Sequence, residues 1–306
     1  HQAWFQSFAI DGTLSVTADE GLTTDSIVVR SVATNADYFE VLVDNVRQYA
    51  GLWEAISSIN INAGAGNDTI TIENLPASTN VIVLGGEGND TLNLGGNDFD
   101  TRILGDVLMS GGNGTDLVVL NDTSDTGNDT WTIANDTFSK NSGTGSVIVQ
   151  GVTEQVRIDG SGSAVNYLFS ALSSDISVTI NAGNGSDDMI VGDTTEDIDS
   201  NIAGSIIFNA AGGADSVLFN DEGDGIGSDS YTFSGTSFSK PLAAFGSVDY
   251  SAVEEIRLLA SPNSDSITVA SLGATQAITV TAGDGNDTII AGEGDFDNQI
   301  NAEVSV

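Results

Sequence analysis

The sequence predicts an all-β fold, a right-handed parallel β-helix (solenoid) with coils of about 22–28 residues. Three observations predict it: a short glycine-rich turn recurs between apolar strands, successive turns are about one coil apart, and a segment of the chain is duplicated. The strands are short and rich in β-branched residues, as in Thr69–Ile72, Val81–Leu84 and Leu117–Leu120. Only Ala50–Ser58 shows a mild helical pattern.

The recurring turn reads small-Gly-x-Gly-x-Asp, and an apolar strand follows it directly. Copies lie at 63–68, 85–90, 111–116, 182–187 and 282–287, with a weaker copy at 210–215 and degenerate copies ending at Asp25 and Asp265. The spacing from Asp68 to Asp90 is 22 residues, and from Asp90 to Asp116 it is 26. One circuit of two or three short strands uses about this many residues, so we expect equivalent turns to stack at the spacing of strands in a sheet.

A duplication of about 100 residues overlies the turns. The two blocks span 81–189 and 181–289. Phe138-Ser-Lys140 aligns with Phe238-Ser-Lys240, and Arg157 aligns with Arg257. Because no linker separates the blocks, we expect residues 1–306 to form a single solenoid domain, with residues 1–12 as an N-terminal cap.

The charge balance excludes several classes of partner. The formal net charge is −37, because 44 Asp and Glu oppose 7 Lys and Arg. Phosphate binding needs Lys and Arg, so we expect no nucleic acid partner, and the chain has no apolar run long enough to insert into a membrane. A single histidine and the absence of cysteine exclude the usual Ser-His-Asp, Cys-His and zinc sites. The composition favours cations as partners.

Stacking would place the turn aspartates in columns of like charge, with Asp68, Asp90 and Asp116 in one and Asp187 and Asp215 in another. Carboxylates roughly 5 Å apart repel one another or take up protons. Two interpretations fit. Calcium ions could neutralise the columns through carboxylate and carbonyl oxygens, or each aspartate could accept hydrogen bonds from its own backbone without a metal.

The turn at Gly85–Leu92 resembles the hemolysin-type calcium-binding (RTX) nonapeptide, and so does the turn at Gly111–Val118. The wider pattern is similar to that of large repetitive extracellular surface and adhesion proteins with scattered turns of this kind. The resemblance implies Ca²⁺ as cofactor and metal-binding roles for Asp68, Asp90, Asp116, Asp187, Asp215, Asp287, Gly66, Gly88, Gly114, Gly185 and Gly285. RTX nonapeptides follow one another directly, whereas each turn here stands alone in its coil.

A second acidic corner follows the first strand of several coils, at Asp98, Asp122, Asp193, Asp221 and Asp295. It is either another cation column or a solvated polar corner. The segments 121–130, 140–146 and 221–230 are expected to be loops that leave the coil. Lys140 and Lys240, the only lysines, are expected to sit in loop anchors whose phenylalanines pack on the solenoid.

These features together predict a calcium-binding structural or adhesive protein of the cell surface or extracellular space. We expect it to belong to a larger surface protein or fibre, not to be an enzyme, to meet a glycan or cell-surface partner, and to associate end to end. The alternative is a polysaccharide-active β-helix enzyme, a lyase or hydrolase, with Arg157 or Arg257 as base. Because Glu154 and Glu254 are duplicated beside these arginines, structural ion pairs are the competing interpretation.

Overall fold

A computed structural model describes residues 6–10, 12–18, 24–141, 144–151, 155–241, 244–292 and 303–305, without the side chains of 6–10 and 303–305. The chain divides into two compact units. The first unit comprises His1–Asp125 and Asp136–Asp159, and the second comprises Thr126–Asn135 and Gly160–Val306. The predicted all-β class is confirmed, since strands in mostly parallel sheets make up nearly all the regular structure described.

The described strands are three to nine residues long. The first fourteen are β1 (Gln6–Ile10), β2 (Thr13–Thr17), β3 (Ser26–Val32), β4 (Asn35–Val43), β5 (Val46–Leu52), β6 (Ser58–Ala65), β7 (Thr69–Ile72), β8 (Asn80–Glu87), β9 (Thr91–Leu94), β10 (Val107–Asn113), β11 (Leu117–Asn121), β12 (Asp129–Ala134), β13 (Thr137–Lys140) and β14 (Val147–Gln150). The others are β15 (Gln155–Asp159), β16 (Val165–Phe169), β17 (Ser177–Asn181), β18 (Asp188–Val191), β19 (Ser205–Asn209), β20 (Ser216–Asn220), β21 (Ser230–Ser234), β22 (Ser237–Ser239), β23 (Val248–Ser251), β24 (Glu255–Leu259), β25 (Ser266–Val269), β26 (Ala277–Thr281), β27 (Thr288–Ala291) and β28 (Glu303–Ser305).

In the first unit the strands form two sheets. Sheet I has the order β1-β2-β6-β8-β10-β14-β13, and sheet II has the order β15-β11-β9-β7-β3-β4-β5. From β6 to β11 consecutive strands alternate between the two sheets, and each pairs in parallel with the strand two places along. Antiparallel pairs lie at the ends of the sheets, where β1 pairs with β2, β13 with β14, and β4 with both β3 and β5.

The second unit repeats this alternation. Sheet III has the order β12-β16-β18-β20-β24-β26-β28, and all its described pairings are parallel. Sheet IV has the order β27-β25-β21-β22-β23-β19-β17. Within it β22 is antiparallel to both of its neighbours, β21 and β23, so a short return strand lies inside an otherwise parallel sheet.

The core is built from every second residue of the parallel strands, as the alternating pattern predicts. In β7 and β9 the side chains of Ile70, Ile72, Leu92 and Leu94 are fully buried, while the threonines and asparagine between them are half-buried on the other face. In the second unit, aromatic residues fill more of the core, among them Phe208, Phe219, Tyr231, Phe233 and Phe238. Burial of these columns supplies the main stabilisation of each unit.

The mild helical pattern at Ala50–Ser58 does not produce an α-helix. Strand β5 runs to Leu52, and a single 3-10 turn, Trp53–Ala55, follows it. Trp53 explains the turn, since its ring stacks on Phe39 with centroids 4.2 Å apart and its indole N–H donates to Ser31 Oγ at 3.2 Å. Packing against β4 and β3 therefore overrides the weak helical pattern.

Two one-turn helices, α1 (Phe99–Arg102) and α2 (Ile198–Asn201), are absent from the sequence prediction. Each begins after an aspartate cap: Asp98 accepts from the Thr101 amide at 3.3 Å, and Asp197 accepts from the Ser200 amide at 3.0 Å. Within the described residues no helix is both long and apolar enough to cross a membrane. In the predicted cap at 1–12, residues 1–5 and 11 lie outside the described residues, and 6–10 are described without their side chains.

Candidate functional site

In the first unit the turn aspartates form a ladder that runs from turn to turn. The Asp25 amide donates to Asp68 Oδ1 at 2.7 Å, the Asp68 amide to Asp90 Oδ1 at 2.8 Å, and the Asp90 amide to Asp116 Oδ1 at 2.8 Å. All four side chains are buried. The predicted stacking of Asp68, Asp90 and Asp116 is confirmed, and we call this column and its counterparts in the second unit the aspartate ladder.

The second unit carries two further stretches of the ladder. The first consists of Val165 N–H to Asp187 Oδ1 at 2.9 Å, Asp187 N–H to Asp215 Oδ1 at 2.8 Å, and Asp215 N–H to Glu254 Oε2 at 2.9 Å. The other consists of Asp229 N–H to Asp265 Oδ1 at 2.8 Å and Asp265 N–H to Asp287 Oδ1 at 2.9 Å. Glu254 thus occupies a position in the ladder, whereas the sequence predicted that it would form an ion pair with Arg257.

The hydrogen bonds differ from those expected for a metal-free corner. The sequence suggested that each aspartate would bond to its own backbone, but the donors lie 22 to 43 residues away in the next turn. At the corner, where the strands have ended, the carboxylate therefore replaces the backbone carbonyl that would accept this amide hydrogen bond in a sheet. One oxygen of each carboxylate is occupied in this way.

The turn glycines are required by the close stacking of the backbone. Gly88 and Gly114 have φ values of +120° and +125°, a region that L side chains rarely adopt. A Cβ on Gly88 would collide with the carbonyl oxygen of Gly66, and one on Gly114 would collide with that of Gly88. The carbonyls of Ser163 and Asn263 approach Gly185 and Gly285 in the same way. This packing explains the glycines without a metal.

The second carboxylate oxygen of several ladder residues has no hydrogen-bond partner. The Oδ2 atoms of Asp90, Asp187 and Asp215 are buried and unpartnered. Burial, together with the charges of Asp68 and Asp116, raises the pKa of Asp90 to about 6. Burial and the charges of Asp215 and Asp188 raise the pKa of Asp187 to about 7. These carboxyls therefore hold their protons to a higher pH than an ordinary aspartate, and a nearby cation would favour their charged form.

A different arrangement surrounds Lys240 in the second unit. Its Nζ lies 2.6 Å from Asp221 Oδ2, 3.2 Å from Asp229 Oδ1, 3.3 Å from Asp199 Oδ2 and 3.9 Å from Asp224 Oδ2. The lysine side chain is 1% exposed and that of Asp221 is fully buried. We call this group the Lys240 cluster.

The charges of the Lys240 cluster depend on one another. Burial by itself lowers the pKa of a lysine, but the hydrogen bond to Asp221 and the charges of Asp221, Asp229 and Asp199 raise the pKa of Lys240 above its ordinary value. Burial, with the charges of Asp199 and Asp229, raises the pKa of Asp224 to about 6. Tyr231 completes the enclosure, donating its hydroxyl to Asp221 Oδ2 at 2.7 Å, with its ring centroid 5.1 Å from Lys240 Nζ.

The first unit contains the equivalent Lys140 cluster. Lys140 Nζ lies 2.7 Å from Asp122 Oδ2, 3.2 Å from Asp125 Oδ2 and 3.3 Å from Asp100 Oδ2, and both Lys140 and Asp122 are fully buried. Asp122 Oδ1 accepts from the Phe99 amide at 2.9 Å, just as Asp221 Oδ1 accepts from the Ile198 amide at 2.9 Å. Both clusters therefore tie a lysine to the start of a one-turn helix.

The second acidic corner is buried at Asp122 and Asp221 and half-buried at Asp98 and Asp193. Asp122 and Asp221 each bind a buried lysine, and Asp98 caps α1. The segments 121–130 and 221–230 contain the expected loops, and in them Asp122 and Asp221 turn inward to the buried lysines. The phenylalanine anchors are confirmed, since Phe138 and Phe238 are fully buried. Asp295 lies outside the described residues.

Arg157, one of the duplicated arginines, has another partner than predicted. Arg157 Nε lies 3.0 Å from Asp159 Oδ2, and the arginine side chain is 41% exposed. Glu154, its predicted partner, lies outside the described residues. Glu254 accepts from the ladder amide of Asp215. The expected pairing of Glu254 with Arg257 is therefore replaced by a backbone contact.

Clusters of buried aspartates could hold a metal ion. Within single units, three carboxylates come within 4.8 Å of one another at Asp98, Asp100 and Asp122, at Asp197, Asp199 and Asp221, and at Asp199, Asp224 and Asp229. Among the described residues, none of these groups includes Asp68, Asp90, Asp116, Asp187, Asp215 or Asp287. Comparison with known proteins adds no relative, because no family model, no curated protein and no solved structure matches the chain.

Proposed function

We propose that the chain is a calcium-stabilised structural or adhesive β-solenoid of the extracellular space or cell surface, part of a larger surface protein or fibre. The alternation of consecutive strands between two sheets supports a parallel β-helix in each unit. Parallel strands joined by a crossover are right-handed in about 98% of cases, which supports the right-handed form.

The observation that carries the calcium proposal is the row of unpartnered buried oxygens in the ladder. Asp90, Asp187 and Asp215 each keep one carboxylate oxygen without a hydrogen bond. Calcium takes six to eight hard oxygen ligands in flexible geometry, and carboxylates and turn carbonyls are of that kind. Bound calcium would supply the positive charge that stacked carboxylates lack. The residues that would hold it are Asp68, Asp90, Asp116, Asp187, Asp215 and Asp287.

The same chemistry supports a location outside the cell. Calcium sites of extracellular modules are weak, with dissociation constants of about 10⁻⁴–10⁻³ M. Partly hydrogen-bonded carboxylates such as Asp90 and Asp187 fit weak sites of this kind. Such sites fill only where calcium is abundant, so the fold would be completed after export.

Thermal unfolding of the purified chain tests the proposal. We expect the midpoint to rise by several degrees when millimolar calcium replaces a chelator, and magnesium to be much less effective because it demands a stricter octahedral shell. Isothermal titration would give the number of sites. An unchanged midpoint, together with no heat of binding, would remove calcium from the proposal.

The polysaccharide-active enzyme retains one observation in its favour. A cavity of about 380 Å³ in the first unit is bordered by Asp37, Glu54, Trp53 and Pro76, a pair of carboxylates beside an aromatic ring. Assays on acidic and neutral polysaccharides with the double variant Asp37→Asn and Glu54→Gln would decide. Release of sugars by the unaltered chain that the variant loses would favour the enzyme over the structural protein.

A further inference from the structure

The only two lysines of the chain occupy equivalent places in its duplicated blocks, and carboxylates enclose each of them. Lys140 and Lys240 are both buried, and each lies within 2.7 Å of a fully buried aspartate. A buried ammonium is costly unless several oxygens receive its hydrogens, and here at least three carboxylates lie within 3.3 Å of each one. The ammonium supplies the positive charge that an acidic corner otherwise takes from solution.

Each lysine joins segments that are far apart in the sequence. Lys240 follows β22, Asp221 follows β20, Asp199 lies in α2 and Asp229 precedes β21. One ammonium therefore fixes the return strand, the helix and the end of a core strand together. In the described part of the aspartate ladder, the carboxylates of Asp90 and Asp215 instead accept hydrogen bonds from backbone amides.

We infer that Lys140 and Lys240 are built-in cations, which make the corner of each duplicated block independent of calcium while the aspartate ladder remains calcium-dependent. The second half of this statement rests on the proposed function, and the first half does not. Loss of calcium would then open the ladder turns and leave the two lysine clusters closed. Calcium would then stabilise the ladder turns, and the Lys140 and Lys240 clusters would stay closed with or without it.

Hydrogen exchange of the full chain, measured in calcium and in chelator, provides the first test. The Ile198 amide, which donates to Asp221, reports on the Lys240 cluster, and the Asp187 amide, which donates to Asp215, reports on the ladder. In chelator we expect exchange at Asp187 to accelerate about tenfold or more and exchange at Ile198 to stay within about twofold. Equal acceleration at both amides would overturn the inference.

Two substitutions at one position sharpen the test. Lys240→Ala removes the ammonium and leaves room for an ion, whereas Lys240→Met removes it and fills the space with an apolar chain. In chelator we expect both variants to exchange about tenfold faster at Ile198, and calcium to restore protection in Lys240→Ala but not in Lys240→Met. Lys240→Arg keeps the charge and should stay insensitive to calcium.

Rescue of neither variant, or of both equally, would show that calcium does not take the place of the ammonium and would overturn the inference, and so would a Lys240→Ala chain that fails to fold even in calcium. Lys140→Ala, read at the Phe99 amide, repeats the experiment in the first unit. If the Asp187 amide of the unaltered chain ignores calcium, the proposed function fails. The comparison of Lys240→Ala with Lys240→Met still decides the inference in that case.

Discussion

Lys240 and Asp221 form a buried ion pair, with Nζ and Oδ2 2.6 Å apart and both side chains almost inaccessible to solvent. The same carboxylate also accepts from the Tyr231 hydroxyl at 2.7 Å and, through Oδ1, from the Ile198 amide at 2.9 Å. Each charge is tolerated because the other is present, so the loss of one leaves a buried ion without a partner.

Asp221→Asn should therefore destabilise the chain strongly. The amide can still accept from Ile198, but it removes the negative charge nearest to Lys240, and breaking a buried pair costs about 3–5 kcal/mol. Urea unfolding measures the loss. Glu222→Gln, at the exposed neighbouring position, is the matched control and should change stability by less than about 0.5 kcal/mol. Equal effects of the two substitutions would contradict a structural role for the pair.

Asp90→Asn separates the two roles of a ladder carboxylate. The asparagine oxygen can keep the hydrogen bond from the Asp68 amide, while the charge between Asp68 and Asp116 disappears. In chelator near pH 8 we expect the variant to melt about 2 °C above the unaltered chain, and its response to calcium to shrink. Asp90→Ala, which also loses the acceptor, should instead cost about 1–3 kcal/mol. A lower melting temperature for Asp90→Asn in chelator would mean that the charge of Asp90 does not destabilise the folded chain.

The ladder predicts the direction of the pH dependence. The pKa values of Asp90 and Asp187 are raised from 3.8 to about 6 and about 7 in the folded chain. Between these values the folded state holds protons that the unfolded state has released, so the free energy of unfolding should fall as pH rises from about 4 to about 7. Urea titrations in chelator across this range measure the slope. Stability that rises with pH through the window would refute the assignment.

Gly88→Ala tests the close stacking of the turns. The new Cβ would meet the Gly66 carbonyl oxygen at a φ of +120°, so we expect a loss of about 3 kcal/mol. Gly162→Ala is the control, because nothing lies within 4 Å of the Cβ position there. Thermal unfolding of both variants in calcium compares them directly. A Gly88→Ala chain as stable as the control would show that the turns can separate without loss.

The ladder could be predicted from the sequence because its residues keep a fixed place in a regular period. Successive copies of one turn end at Asp68, Asp90 and Asp116. A fold that stacks its coils brings such equivalent positions next to one another. The partner of each carboxylate could not be predicted, since the amide of the adjacent turn competes with the residue's own backbone and with a metal. Glu254 was missed at its ladder position because its turn lacks the glycines.

The lysine clusters lie outside the turn that recurs from coil to coil, which is why the sequence did not predict them. Asp122 and Lys140 come together through two loops of irregular length, and no spacing rule connects them. A signal was nevertheless present. In a chain with 44 acidic residues the two lysines recur 100 residues apart, each two places after a phenylalanine, and a repeated rare charge predicts a repeated buried partner.

The return strand β22 gives the second unit a place to begin folding. Parallel neighbours such as β18 and β20 pair residues 28 positions apart, so a long loop must close before either gains a contact. In contrast, β21 and β22 are joined by two residues and pair Phe233 with Phe238. Hairpins of this size form in about 1–10 μs, far sooner than distant strands meet. Among the described strands of the second unit, whose parallel pairs depend on slow long-range encounters, this hairpin is thus a fast local nucleus beside the lysine that later secures it.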